Sequence, residues 1–330
     1  MGLQLRAASG LLHDIRYGFR QCRRNAALSV VVIVSLALGI GANTAIFSLV
    51  NAVMLRELPV RDPARLVVLQ YAEPQGGLPG SLDHTHSGRS GRDSAGRSVS
   101  ISISWPSFTY LQARAQSMSS FVGFVPLGMF DRPTAVVNGE PTFLDADMVT
   151  AGFFPTLGVP PIRGRAILPD DEKPGAPRVG VMSYRFWSRA YARSEVAIGR
   201  TITLNGVPVT LVGVAPPEFT GLEIGRAPDI WIQMGPQPGL TPWGVRPRGA
   251  PQVVYAAPDY WWLEVVGRLK PGVTTEQARL EVERLFRESL RASVNTQVPD
   301  EKLPSVVLTP ATVGLNAISQ RYSTPLSIPP

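Results

Sequence analysis

From Asn25 to Leu55 the chain carries no charged side chain. No other feature restricts the fold as strongly. A helix rises about 1.5 Å per residue, so two-thirds of this run already crosses a hydrocarbon core of about 30 Å. The predicted element is a transmembrane helix over residues 25–55. A cleaved secretion signal has a shorter apolar region, about 7–15 residues, followed by a small-residue cleavage site. The polar residues within the run, Asn43, Thr44 and Asn51, form no such site. A cleaved signal and a buried core helix remain as the alternatives, and a soluble core helix rarely needs so long an uncharged stretch.

The flanking charges predict an orientation. Arg6, Arg16, Arg20, Arg23 and Arg24 stand against Asp14 before the run, while Arg56, Arg61 and Arg65 are diluted by Glu57 and Asp62 after it. An arginine excess on the N-terminal side favours a cytoplasmic N-terminus. Residues 1–24 read as a cytoplasmic amphipathic segment, with Leu12, Ile15 and Phe19 on an apolar face and Arg16, Arg20, Arg23 and Arg24 at the membrane surface. A frayed basic tail is the other reading. Within the run, Ala37, Gly41 and Ala45 recur every four residues. Small residues at that spacing let a second helix approach closely, although small residues are also ordinary in membrane helices.

The net charge of +7 is concentrated ahead of the apolar run, and the rest of the chain has no zinc-finger spacing or basic-aromatic stripe. Nucleic acid is therefore not an expected partner; the lipid bilayer is. Cys22 is the sole cysteine, which excludes an internal disulfide, and it reads as an incidental cytosolic thiol.

From Pro59 onward the chain reads as an exported α+β body rich in Gly and Pro. Residues 65–71 are a strand. Residues 73–98 read as a mobile insertion. Trp105-Pro106 opens a helix running to about Gln116. Residues 121–125, 134–138 and 142–149 are strands. The stretch "TITLNGVPVTLVGV" is a hairpin, because Asn205-Gly206 supplies the positive φ angles of a two-residue turn. Residues 235–259 form another Pro/Gly-rich loop. "WWLEVVGRLK" is a strand, Pro271-Gly272 turns the chain, and Thr274 caps a helix with Gln277 completing a capping box. Ala278, Val282, Leu285 and Phe286 form its apolar stripe, with Glu281, Arg284 and Glu288 facing water. "SVVLT" closes a β-α-β unit whose natural partner is the strand after Leu66. The two ends of the body are expected to make one subdomain, with residues of about 140–235 inserted as a second.

Chemistry is scarce. No phosphate-binding glycine loop, nucleophile elbow or H-E-x-x-H motif occurs. His13, His84 and His86 are the only histidines. Asp83, His84 and His86 have ligand chemistry but lie in the insertion without an evident second shell, so a solvated loop is preferred. Asp170, Asp171 and Glu172 read as a solvated turn rather than a cation site. Asp145 and Asp147 share one face of a strand; a solvent-facing edge is preferred to an acid–base pair. No catalytic residue, metal or cofactor is expected.

Several blocks together resemble a known family. "LALGIGANTAIFSLVNAVMLRELPV" followed by "DPARLVVL" is similar to the first membrane helix and turn of MacB/FtsX-type ABC transporter permeases, above all the group abundant in Acidobacteria. "GFFPTLGVPPIRGRAILPDDEKPGAPRVGVMSYRFW", the 198–219 hairpin region and "VVGRLKPGVTTEQARLEVERL" resemble successive blocks of the MacB-like periplasmic core domain. The resemblance implies residues 59–330 as a two-part periplasmic core domain: a porter-like α+β subdomain from both ends and a β-rich inserted one. It implies a permease component of the cell inner membrane that performs no chemistry and transmits movement from a separate ABC ATPase. Further permease helices or a second permease copy would be partners. Such permeases continue past the exported domain, whereas these residues stop at "RYSTPLSIPP", so the sequence reads as truncated before a second membrane helix. A stand-alone anchored binding or scaffolding module is the alternative; an anchored hydrolase is a more distant one.

Overall fold

The computed structural model describes residues 23–54, 57–82, 85–86, 88–93, 95–127, 132–223, 225–235, 240, 255–294, 297–312 and 314–315. Arg16, Arg20, His13, Cys22, Asp83 and His84 lie outside them, as does most of the 235–259 loop, and the side chain of His86 is likewise not described. The chain divides into two units, residues 1–56 and 57–330.

The first unit contains helix α1 (Ala26–Met54). Its segment Ala26–Ala45 has a mean hydropathy of 2.1 and none of it is buried. Leu28, Ile33, Leu38 and Ile40 are each exposed by more than half of their surface. A soluble core helix is mostly buried, which Ala26–Ala45 is not, and α1 is long and apolar enough to span a bilayer. Arg23 and Arg24 are exposed just before it, and Ala37, Gly41 and Ala45 are exposed along it.

In the second unit the chain runs in order through β1 (Leu66–Ala72), β2 (Thr85–His86), β3 (Ser90–Arg92), β4 (Ser98–Ser100) and β5 (Ser102–Ile103). Helix α2 (Trp105–Arg114) follows, then β6 (Met118–Leu127), β7 (Thr134–Val137), β8 (Glu140–Phe143) and β9 (Ala146–Val149). After helix α3 (Phe153–Leu157) come β10 (Arg163–Gly164) and β11 (Val179–Met182). Helix α4 (Tyr184–Tyr191) leads to β12 (Thr201–Leu204), β13 (Val207–Val214), β14 (Ile230–Gln233), β15 (Tyr260–Trp261) and β16 (Leu263–Leu269). Helix α5 (Thr275–Ala292) and β17 (Ser305–Pro310) complete the order.

One sheet passes through the whole unit in the order β3-β4-β1-β16-β6-β9-β14-β11-β13-β12-β7-β8, with β17 on β1. Strands from both ends of the unit fill one half. Strands from 134–233 fill the other, and the halves meet where β6 pairs antiparallel with β9. Both β16 and β17 run antiparallel to β1, so they are parallel to each other and α5 is the crossover, as the β-α-β pattern predicts.

Both faces of the sheet are covered. All seven residues of β1 are buried, and their alternation splits them between two cores. Val67, Leu69 and Tyr71 join Phe108 and Leu111 of α2, Val282 and Phe286 of α5, and Phe186 and Trp187 of α4. Leu66 and Val68 join Phe153, Phe154 and Leu157 of α3 with Phe219 and Trp231.

Local signals perform well. The hairpin turns at Asn205 (φ 46°) and Gly206 (φ 80°), with Leu204 opposite Val207. The Thr274 and Gln277 side chains exchange both capping bonds at the start of α5. Ser104 caps α2, and Pro106 takes its second position, one later than expected. Other expectations need correction. Residues 142–149 are not one strand: the chain leaves β8 at the sheet edge, buries Leu144, and re-enters the sheet centre as β9. The 73–98 insertion contains β3, which pairs with β4 where the insertion ends, and a β2 bridge to β15. Glu281 does not face water; it is half-buried and accepts the backbone N–H groups of Gln116 (2.8 Å) and Ser117 (2.7 Å).

Candidate functional site

Two groups of buried charge stand out. The first is at the root of the body, where the segment that follows α1 in sequence joins the sheet. Leu58 N–H donates to Thr312 O (2.9 Å), and Arg61 N–H to Leu157 O (2.9 Å). Leu58 and Val60 pack against the aromatic core. Arg268, on β16, is 3 % exposed. Its guanidinium donates to Thr156 O (2.7 Å) at the end of α3, to Asp62 O (3.1 Å) and to Arg61 O. One planar donor thus gathers three carbonyls from two separate segments. Burial, together with the charges of Arg61 and Arg65, pulls the Arg268 pKa below its ordinary value, so those carbonyls must stabilise the charge. Arg65 adds a bond from its Nε to Leu269 O (2.9 Å). Gly158 ends α3 with φ +69°, and a Cβ there would lie 2.4 Å from Arg61 Cβ. Glycine therefore permits both the left-handed cap and the close approach of the root segment.

The second group lies where the two halves of the sheet meet. Glu264 on β16 pairs with Phe124 of β6, and Asp147 on β9 pairs with Pro126. Phe124 and Pro126 are two residues apart, so both carboxylates rise from the same sheet face, on either side of β6. Arg89, just before β3, bridges Glu264 and Glu223. Arg226 bridges Asp147 and Glu223 and also donates to Ala146 O (3.1 Å). Three carboxylates therefore share two guanidiniums. Glu264 Oε1 is buried and has no hydrogen-bond partner among the described residues. Burial pushes Asp147 up to about 7 against the pull of Arg226, with Glu223 adding to the rise. Burial pushes Glu264 up to about 7 as well, against Arg89, with Glu223 and Asp147 adding to it.

This placement corrects the solvent-edge expectation for Asp147: β9 is a central strand with all four residues buried. Asp145 lies just before it, half-buried, 3.7 Å from Arg132. The acidic run 170–172 is also more engaged than a solvated turn. Only Asp170 is exposed; Asp171 binds Arg165 through both carboxylate oxygens. Glu172 accepts the N–H of Ala151 (2.8 Å), and burial pushes it up to about 7. No group of three or more His, Cys, Asp or Glu side chains suited to a metal occurs among the described residues. Arg89, Glu223, Arg226, Glu264 and Arg268 were not singled out in the sequence. Apart from the Glu223–Arg226 pair, three residues apart, the contacts that join them lie far along the chain, as from Arg226 to Asp147 (79 residues), Arg89 to Glu264 (175) and Arg268 to Arg61 (207).

Comparison with known proteins places these features in context. Residues 29–285 match the family described as MacB-like periplasmic core domain. The periplasmic region of MacB from Actinobacillus actinomycetemcomitans aligns at 12% identity and a TM-score of 0.46, covering 79% of this chain and 94% of that one. The extracellular domain of the noncanonic ABC-type transporter YknZ from Gram-positive bacteria aligns at 12% identity and 0.44, covering 73% and 99%. A domain of a permease protein from Porphyromonas gingivalis aligns at 12% and 0.48, covering 77% and 92%. No curated protein matches the sequence.

Proposed function

The chain belongs to the MacB-like periplasmic core domain family, and from that premise we propose that it is the membrane-anchored N-terminal part of an ABC transporter permease that turns over no substrate itself. Helix α1 stays in the cell inner membrane with the N-terminus cytoplasmic and the body outside the cytosol. Arg16, Arg20, Arg23 and Arg24 rest on the inner surface. Ala37, Gly41 and Ala45 form the face on which α1 packs against further permease helices or a second permease copy. A separate ABC ATPase supplies the movement, and the body delivers it for export or mechanotransmission. The two strand sets act as a porter-like part and an inserted part.

The observation that supports this reading is the fastening of the root. A segment that passes on movement must not slip against what it moves. Residues 58–62 are held by backbone bonds to Thr312 and Leu157 and by the Arg268 guanidinium. Releasing them would leave the buried Arg268 charge with Thr156 O alone of its three acceptors, which is unfavourable.

The test is co-expression of the full chain with candidate ABC ATPases and further permease helices. Co-purification of one ATPase with a membrane-retained chain, its body open to protease only from the extracytoplasmic side, is the expected result. Recovery of the body free in solution, clipped after α1, or the absence of any retained ATPase, overturns the proposal.

A further inference from the structure

The cluster formed by Arg89, Asp147, Glu223, Arg226 and Glu264 has no part in fastening the root. We propose that it is a proton-operated clasp over the junction of the two sheet halves. It is closed when one of its three carboxylates carries a proton and loosened when that proton leaves.

Among the described residues, the charged groups at the cluster come from four places in the fold. Glu264 comes from β16, and Asp147 from β9 with Asp145 just before it. Arg89 comes from the segment ahead of β3, and Glu223 and Arg226 from the loop after β13. Asp145 is taken up by Arg132. The β6 residues between the two buried acids, Phe124 and Pro126, carry no charge. Two guanidiniums balance two carboxylates, so a third ionised carboxylate leaves one uncompensated negative charge in a buried site. Such a site takes up a proton instead. The proton belongs to the coupled group rather than to one residue. The orphaned Oε1 of Glu264 agrees with an arrangement in which not every carboxylate oxygen meets a cation.

The segments at stake are those that bring the arginines and Glu223. Glu264 and Asp147 are fixed in strands, whereas Arg89 and the 222–226 loop lie over them. Ile101 N–H donates to Arg89 O (3.2 Å), and Leu315 N–H to Leu222 O (2.7 Å). These two amides report whether the clasp is shut. Once all three carboxylates are ionised, their mutual repulsion acts on the covering segments first. The inference does not depend on the transport reading.

The test is hydrogen exchange on the full chain in detergent, corrected for intrinsic rates, at about pH 5 and about pH 8. Residues 88–101 and 219–226 are expected to exchange roughly tenfold faster at the higher pH, while β16 is unchanged. Glu264→Gln and Asp147→Asn each remove the surplus acid, and each should abolish the difference. Equal exchange of the wild type at both pH values overturns the clasp. So does an unaltered pH response in either variant. Infrared spectra of the Glu172→Gln chain provide a readout that needs no change in the cluster. A protonated-carboxyl band should persist at about pH 6, above the ordinary carboxylate range, and its absence also overturns the clasp.

Discussion

The root buries an arginine and the junction half-buries two, and they balance them in opposite ways. At the root, Arg268 forms no salt bridge among the described residues and rests on three backbone carbonyls. At the junction, Arg89 and Arg226 rest on side-chain carboxylates that outnumber them. Carbonyls do not titrate, so the root is equally firm at any pH the protein meets. Carboxylates in surplus do titrate, so the junction has a state that depends on its surroundings. A fixture and an adjustable fastening are thus built from one residue type by changing its acceptors.

This contrast can be broken most forcefully at the root. Arg268→Met should destabilise the body by about 3–5 kcal/mol, with no pH dependence in the loss, because it removes three charge-assisted hydrogen bonds and leaves the buried Thr156 carbonyl without its donor. Chemical denaturation of the full chain at several pH values measures both the size and the flatness of the effect. A loss that varies with pH would erase the distinction.

The second effect belongs to the junction. Asp147 and Glu264 are pushed up in the folded state from ordinary carboxylate values to about 7. The folded state therefore holds a proton that the unfolded chain has released. Their contribution is fully present below about pH 4 and is lost as pH rises toward 7 and beyond, on the order of 3 kcal/mol in all. Unfolding midpoints should fall across that window. Glu264→Gln should flatten the decline and leave the variant more stable than wild type at about pH 8. Glu172 contributes in the same direction, so the comparison is cleanest in a Glu172→Gln background.

Gly158→Ala sharpens the root further. The positive φ and the contact with Arg61 predict a loss of about 1–3 kcal/mol, with faster exchange of the Arg61 amide. The smallest effect is remote from both sites. Thr274→Ala removes the α5 capping box and should cost about 1 kcal/mol while leaving root and junction exchange unchanged. Movement at either site in that variant would mean that general loosening mimics the specific effects.

What the sequence discloses follows from the range of the interactions. The Asn205-Gly206 turn, the Thr274 cap and the stripe of α5 are decided within a few residues, and each is found where expected. The apolar run identifies α1 for the same reason. Asp147 shows the limit. In "TFLDADMV" it alternates with apolar residues like a solvent-facing position, and only the pairing of β9 between β6 and β14 buries it. Arg268 and Glu264 sit in a strand whose seven residues are all buried, where a charged residue offers no local hint of what will receive it. Their partners are Arg61, Asp62 and Thr156, whose carbonyls accept from Arg268, and Arg89, which donates to Glu264; the topology alone brings them near. Glu281 fails similarly, because its partners are the backbone amides that end a distant helix.

The account depends most on the root moving as one piece with the body. Spin labels at Pro59→Cys, exposed in the root segment, and Leu280→Cys, exposed on α5, in a Cys22→Ser chain held in lipid nanodiscs, measure this directly. A single narrow distance distribution that broadens on Arg268→Met is the predicted result. A distribution already broad in the unaltered root, or one indifferent to Arg268, would contradict it.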